Sequence, residues 1–305
     1  MLQILADGLV IGSVISLGAI GLSLTLSIVR FSNFSHGELL GWGSYLALSA
    51  LAVFIATRES LAAPLGPFSF GWGLLGALLV STVLTALLAL ALDRVLFRRL
   101  RSQGAITLVI ASFGAALALR NLLLFWYGGV PQYYSQNLQI AIPFLPRSVW
   151  GGLRVTADQL FVLALTLVTV TALHLFLRHS TLGRSMRATA INPSLARVAG
   201  IDPERVLRAT WIIGGILAAV AGVFAGITVQ LRPTLGVDLL LPLFAAVILG
   251  GIGSVWGAVL GGFIVGLAES ASVSIVGAEY RAAAAFAVLI LILLVRPTGL
   301  FGEKH

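Results

Sequence analysis

Cysteine is absent from this chain of 305 residues, and charged residues are scarce. Without thiols, the sequence has neither a disulfide framework nor a thiolate metal site. Charged residues make up 10% of the chain and hydrophobic residues 59%, whereas about a quarter of the residues in soluble domains are charged. The mean hydropathy is +1.05. This composition excludes an ordinary soluble domain and predicts a protein that resides in a lipid bilayer.

Sequence motifs of enzymatic chemistry are also missing. The chain has no G-x-x-x-x-G-K-[ST] phosphate loop, no H-E-x-x-H zinc motif and no G-x-S-x-G nucleophile motif. Its histidines, at positions 36, 174, 179 and 305, do not group as metal ligands. We therefore expect no catalytic residue, no bound metal and no enzymatic activity in this chain.

Long apolar runs account for most of the sequence. A helix needs about 20 apolar residues to cross the hydrocarbon core, and the runs that meet or approach this length occupy residues 8–29, 38–56, 71–92, 105–126, 158–177, 206–230 and 281–295. The segment 239–270 is too long for one span, and the sequence GGIGS at 250–254 interrupts it, which predicts two short or broken helices. The expected fold is an all-α polytopic membrane helix bundle of about 8 to 9 spans, forming a single transmembrane domain over residues 1–305.

The arginines between the spans predict the orientation of the bundle. The formal charge of +8 would suggest nucleic acid in a soluble protein, but here the basic residues flank apolar spans, where they set topology and meet anionic headgroups. We therefore expect contact with membrane lipid and no nucleic-acid partner. Arginines follow the third span, and others fill residues 178–208, so both segments are predicted to be cytoplasmic. The N-terminus is then external, and the C-terminus is cytoplasmic only if 239–270 crosses the membrane twice.

Residues 127–157 form the longest predicted external loop. It carries prolines and glycines. Its aromatic residues include Tyr127, Tyr133, Tyr134 and Trp150. A lid that receives an external partner is one interpretation. An interfacial aromatic loop without a partner is the other, because aromatic residues collect at membrane boundaries.

The segment 178–208 is a basic island with helix-capping signals. Asn192-Pro193 places a capping side chain before a residue with φ preset for a first helical turn, and Gly200 supplies a left-handed stop. Asp202-Pro203 repeats the start signal directly before the sixth span. This pattern predicts a short cytoplasmic helix over about residues 193–199 that serves as a docking element. In the alternative, the arginines only enforce topology.

Polar and charged residues at the edges of the spans are candidates for a translocation pathway. Asn33, His36 and Glu38 begin the second span, and Glu269 ends a glycine-rich helix. Charged groups at membrane depth usually face a polar cavity or a helix partner, so these four residues are predicted to line the pathway or its gate. In the alternative interpretation, they only mark the interfacial ends of their helices.

Four motifs together resemble a known permease family. They are NFSHGE at 33–38, TLGRSMRATAINPSLARVAGID at 181–202, IIGGILAAVAGVFAG at 212–226 and LGGIGSVWGAVLGG at 249–262. In this order they resemble the permeases of bacterial branched-chain amino acid ABC importers, and the first motif is similar to that of the smaller of the two permeases in that system. The resemblance extends over nearly the whole chain.

The resemblance implies a multi-pass protein of the bacterial inner membrane with the ABC importer permease fold. Its implied partners are a homologous permease, in a homo- or heterodimer, an external substrate-binding protein and two cytoplasmic ABC ATPases. The ATPases would bind ATP and Mg²⁺, so that this chain itself holds no cofactor. The implied substrates are branched-chain or other apolar amino acids. Importers of urea and short amides have permeases of similar pattern, and a stand-alone secondary transporter is the alternative from another class.

The resemblance also maps an ATPase-coupling element onto the 178–208 island. The positions that match the family's coupling loop are Gly183, Arg187, Ala188, Asn192, Ala196 and Gly200. Small residues would let the loop sit closely in a groove of the ATPase, and Arg184, Arg187 and Arg197 would pair with its acidic residues.

Overall fold

The computed structural model describes residues 1–135, 141–145, 152–296 and 299–301. These residues form twelve α-helices and one two-stranded sheet, in chain order α1 Leu2–Val29, α2 Ser35–Thr57, α3 Trp72–Leu92, α4 Arg98–Leu100, α5 Ala105–Tyr127, β1 Ala141–Leu145, β2 Leu153–Thr156, α6 Ala157–His179, α7 Thr181–Ile191, α8 Pro193–Val198, α9 Pro203–Thr228, α10 Leu235–Gly250, α11 Val255–Ile275 and α12 Arg281–Val295. A π-helical segment, Asp93–Phe97, joins α3 to α4 without a break in the helical path. Short 3-10 turns lie at Glu59–Ala62, Arg101–Gln103 and Ala278–Tyr280.

The helices confirm the polytopic membrane fold. Eight helical segments in the described part of the chain are long and apolar enough to cross a membrane, and α10, with 16 residues, is a shorter apolar helix. The predicted break at 250–254 is present, because α10 ends at Gly250 and α11 begins at Val255. Gly251 and Gly253 adopt positive φ in the turn between them, a conformation that glycine tolerates.

Helices α1 and α9 form the centre of the bundle. In the most apolar stretch of each, 83% of the residues are buried, compared with 28% for α5 and α6. Small residues permit this packing: a Cβ at Gly222 of α9 would lie 2.0 Å from the carbonyl oxygen of Leu40 on α2. Lipid provides little hydrophobic force for helix association, so such close backbone contact is a main source of packing energy.

Both predicted cytoplasmic segments lie at the same end of the bundle. The Arg98 and Arg101 side chains, after α3, contact the Glu204 carboxylate at the start of α9 at 3.6 and 3.4 Å. At the same end, the Arg30 guanidinium donates to the Ala190 carbonyl of α7 at 3.4 Å. The amide of Leu300, near the C-terminus, donates to the Leu249 carbonyl at the end of α10. The turn between α10 and α11 lies at this end as well, because the Gly253 amide donates to the Ser23 hydroxyl of α1 at 3.0 Å. Residues 239–270 thus fold as two antiparallel helices.

The predicted external loop contains a β-hairpin that the sequence did not predict. Within 127–157, β1 pairs antiparallel with β2, and the amide of Arg154 in β2 donates to the Gln3 side chain near the start of α1 at 3.0 Å. Two tyrosines of this segment form hydrogen bonds with α2. The Tyr127 hydroxyl pairs with the Ser49 hydroxyl at 2.5 Å, and the Tyr134 hydroxyl donates to the Ser44 carbonyl at 2.8 Å. Trp150 lies outside the described residues. The two interpretations of this loop remain predictions.

Candidate functional site

The segment between α6 and α9 folds as two capped helices. The Ser180 hydroxyl accepts from the Gly183 amide at 2.8 Å and begins α7. The Asn192 side chain accepts from the Leu195 amide at 3.0 Å and begins α8, with Pro193 in its first turn. The helix predicted near 193–199 is therefore confirmed as Pro193–Val198.

The helix α7 was missed in the sequence. Its inward side is formed by Gly183, Met186 and Thr189, which are buried at intervals of three residues. Such spacing is typical of one helical face. The three-residue spacing is present in the sequence, but the small and basic residues of this segment make the buried face difficult to recognise.

The predicted ATPase-coupling residues divide into two groups. Gly183 and Ala196 pack inward: a Cβ on Gly183 would lie 2.5 Å from Leu177, and Ala196 is only 5% exposed. These two residues hold the loop to its own chain. The other predicted residues are exposed or, for Ala188, half-buried, namely Arg184, Arg187, Ala188, Asn192, Arg197 and Gly200.

Exposed apolar side chains lie beside these arginines. Ile191 is 77% exposed, Leu195 66% and Val198 86%. Their role is not evident from the sequence, because an isolated apolar residue in a polar segment carries little signal. We call these three residues together with Arg184, Arg187 and Arg197 the α7–α8 face.

Ionic contacts attach the start of α9 to the end of α3. Arg101 pairs with the buried Asp93 carboxylate of the π-helical segment and also contacts Glu204 at 3.4 Å. The Phe97 ring stacks on the buried Trp211 ring of α9 with centroids 5.2 Å apart. The start of α9, which follows the α7–α8 segment in the chain, is therefore attached to the end of α3 by both ionic and aromatic contacts.

The polar residues at the start of α2 lie inside the bundle. The His36 Nε2 atom is 3.1 Å from the Gly18 carbonyl oxygen of α1, and the His36 side chain is fully buried. Gly18 lies 11 residues before the end of α1, which corresponds to a depth of about 16 Å at 1.5 Å per residue. The chain therefore turns back into the bundle after Arg30 before α2 begins.

This re-entrant start is stabilised by side-chain hydrogen bonds. The Asn33 Oδ1 atom accepts from the amide and the hydroxyl of Ser35 at 3.1 and 2.7 Å. The Ser112 hydroxyl of α5 accepts from the Phe34 amide at 3.1 Å. These contacts satisfy backbone groups that would otherwise be unpaired at this depth.

Glu38 and Glu269 occupy different places. Glu38 is buried on α2, close to Gly236 at the start of α10. Glu269 is buried on α11, and its Oε2 atom lies 3.8 Å from the Arg281 Nε atom of α12. Glu269 also lines a cavity with a volume of about 460 Å³. The pathway role of Asn33, His36, Glu38 and Glu269 stays a prediction.

Comparison with known proteins identifies the family. Residues 4–295 match the family described as "Branched-chain amino acid transport system / permease component". The chain belongs to this family. The permease is 33% identical to the high-affinity branched-chain amino acid transport system permease protein BraD of Pseudomonas aeruginosa, over all of this chain and 96% of BraD. It is 32% identical to the corresponding LivH of Escherichia coli K12, over all of this chain and 96% of LivH.

A more distant relative comes from an archaeon. A probable branched-chain amino acid transport permease protein LivH of Methanocaldococcus jannaschii is 30% identical, over 98% of this chain and 92% of that protein. The relatives are transport permeases and not enzymes. Together with the eight apolar helices, they establish the protein as a multi-pass transport permease of the inner (plasma) membrane.

Proposed function

We propose that this permease is the membrane subunit of an ATP-driven importer of branched-chain or other apolar amino acids. In this proposal it pairs with a homologous permease, receives substrate from an external binding protein and is driven by two cytoplasmic ATPases, which hold ATP and Mg²⁺. The names of the relatives support the substrate class. The observation that carries the proposal is the α7–α8 face, which lies at the arginine-rich end of the bundle.

The composition of the α7–α8 face fits a protein partner. Exposed apolar side chains in contact with lipid need no explanation, but Ile191, Leu195 and Val198 lie on a segment rich in arginine, at the end of the bundle predicted to face the cytoplasm. Apolar groups with a polar rim mark interaction sites. Arginine side chains around them pair well with carboxylates, which favours a partner with an acidic groove.

The connections of the face explain how a partner's movement would reach the pathway. α8 leads into α9 through only a few residues, and the Asp202 side chain caps α9 by accepting from the Glu204 amide at 3.0 Å. Glu204 in turn contacts the arginines that follow α3. A shift of α8 on ATP binding would thus move the cytoplasmic ends of α9 and α3 together, in the manner of a rigid-body switch.

The test is a pair of matched valine substitutions at opposite ends of the bundle. Val198→Asp places a carboxylate in the α7–α8 face, and we expect it to release the ATPases and to abolish ATP-dependent uptake of leucine. Val130→Asp makes the same change at a position that is 68% exposed after α5, and it should leave co-purification of the ATPases unchanged. Ala196→Asp is less suitable, because Ala196 is buried in its own chain.

The readouts are co-purification of the ATPases from native membranes and uptake in proteoliposomes that contain the binding protein. Normal ATP-dependent uptake by the Val198→Asp variant would contradict the docking role. Uptake of leucine by the permease alone, without ATP, would indicate a stand-alone transporter. ATP-dependent uptake of urea or acetamide in place of leucine would contradict the proposed substrate.

A further inference from the structure

A cavity of about 460 Å³ opens between α1, α9, α10, α11 and the start of α12. It lies at the end of the bundle opposite the α7–α8 face, because its lining residue Gln230 pairs with Tyr133 of the segment that follows α5. The volume falls within the range of small-molecule sites, roughly 300–1,000 Å³. The cavity is therefore large enough for a ligand of amino-acid size, on the side from which an importer receives its substrate.

The lining of the cavity combines apolar walls with charges of both signs. Its ionisable groups are Arg232, Asp238, Glu269, Glu279 and Arg281. Its apolar surface includes Val14 on α1, Val229 beyond α9, and Leu239 and Pro242 on α10. Ionisable groups that face lipid tails lose their hydration, which is energetically costly. Lipid tails therefore do not fill a space lined by several such groups. The cavity is suited to water or to a ligand with charges of both signs and an apolar part.

Glu269 is a buried carboxylate in this cavity whose hydrogen bonding is incomplete within the described residues. Its side chain is 2% exposed, and its Oε1 atom has no hydrogen-bond donor within the described residues. Its Oε2 atom is 3.8 Å from the Arg281 Nε atom, which is beyond hydrogen-bond distance. A buried carboxylate oxygen without a donor is costly. A hydrogen-bond donor that entered the cavity would satisfy this oxygen.

We propose that this cavity binds a free zwitterionic amino acid with an apolar side chain. The ammonium group donates to Glu269, the carboxylate accepts from the guanidinium of Arg281 or Arg232, and the side chain packs against the apolar wall. This inference rests on the proposed function and adds that the permease itself recognises the substrate after its release from the binding protein. Urea and short amides lack the two charges that these groups would recognise.

The first test measures equilibrium binding to the purified permease complex without the binding protein. Radiolabelled L-leucine is the probe, and the competitors are 4-methylpentanoate, which lacks the ammonium group, 3-methylbutylamine, which lacks the carboxylate, and acetamide. We expect L-leucine to bind and each truncated competitor to bind at least about 10-fold more weakly, as removal of one charge-assisted hydrogen bond implies. Equal binding of leucine and acetamide, or no binding of leucine, would overturn the inference.

Variants of the complex locate the site. Glu269→Gln keeps the shape of the side chain but removes the charge that pairs with the ammonium group, so leucine affinity should fall about 10-fold while that for 4-methylpentanoate changes little. Glu59→Gln makes the same change at an exposed residue outside the cavity and should have no effect. Val237→Trp, at another lining residue, should reduce leucine binding by filling the space without removing a charge. Size-exclusion profiles establish that each variant is folded.

Uptake separates this inference from the proposed function. If the wild-type complex imports leucine with ATP and binding protein, but Glu269→Gln and Val237→Trp bind and import it equally well, the cavity is not the site and the proposed function stands. If the wild-type complex shows no ATP-dependent uptake but binds leucine in the cavity, the proposed function fails and the site stands.

Discussion

At the scale of single residues, the bundle depends on glycines at which two backbones touch. A Cβ at Gly222 would lie 2.0 Å from the Leu40 carbonyl oxygen, and one at Gly261 would lie 2.1 Å from the Ala246 carbonyl oxygen. Backbone atoms cannot move aside as flexible side chains do. By contrast, a Cβ at Gly114 on α5 would have no atom of another described helix within 4 Å. The same residue type therefore has a packing role at some positions and none at others.

A matched pair of alanine substitutions tests this difference. Gly222→Ala should lower the free energy of unfolding by about 1–3 kcal/mol or more, because it overpacks the contact between α9 and α2. Gly114→Ala should be neutral or should stabilise α5 by up to about 1 kcal/mol, since alanine has the higher helix propensity. Thermal stability in detergent, followed by size-exclusion chromatography, measures both. Equal stability of the two variants would contradict this account.

At the scale of elements, a buried ionic group joins α3 to α9. Asp93 is only 5% exposed, and its partner Arg101 also contacts Glu204. A buried carboxylate needs such pairing, because desolvation of a lone charge is costly. The π-helical segment Asp93–Phe97 places Asp93 and Phe97 on the side of α9, where Phe97 stacks on Trp211. The link thus combines a charged contact with an apolar one.

Removal of one partner from this ionic group should be destabilising. Arg101→Gln leaves the Asp93 carboxylate buried and unpaired, with an expected loss of about 3–5 kcal/mol for a fully buried pair and less here, because the Arg101 side chain is 19% exposed. Arg99→Gln removes the same charge from an exposed neighbour and serves as the control. Thermal unfolding of the two purified variants gives the comparison. A loss of stability in Arg99→Gln as large as in Arg101→Gln would attribute the effect to net charge.

At the scale of the whole molecule, the two ends of the bundle differ in chemistry. One end carries the arginines after α3, the α7–α8 face and the C-terminal contact of Leu300 with α10. The other end carries β1, β2 and the entrance of the charged cavity. If arginine marks the cytoplasmic side, residues 299–301 are cytoplasmic and the charged cavity opens outward.

The absence of native cysteine makes this orientation directly measurable. In the single-cysteine variant Val130→Cys, a membrane-impermeant maleimide should label the protein in intact spheroplasts. In Phe301→Cys, which lies at an exposed position of the opposite end, labelling should require permeabilisation. Labelling of Phe301→Cys in intact spheroplasts would place the C-terminus outside and would contradict two crossings by 239–270.

The sequence alone determined the features that depend on local properties of the chain. The length of the apolar runs predicted the spans, the GGIGS segment predicted the break between α10 and α11, and Asn192-Pro193 predicted α8. Each of these signals lies within the element that it predicts, and it acts through burial, backbone freedom or capping. Even where local signals existed, as in α7, the mixture of small and basic residues concealed them.

Only the tertiary structure decided which residues meet. The sequence predicts one set of pathway residues, Asn33, His36, Glu38 and Glu269. The fold separates them: it buries His36 against Gly18 of α1 and places Glu269 in a cavity with Arg281. It also turned Ala196 inward and left Val198 exposed. These outcomes depend on how separate helices pack, through contacts between residues far apart in the chain. Local periodicity contains no information about such pairings, so the partner of each buried charge and the position of the cavity became known only from the packed bundle.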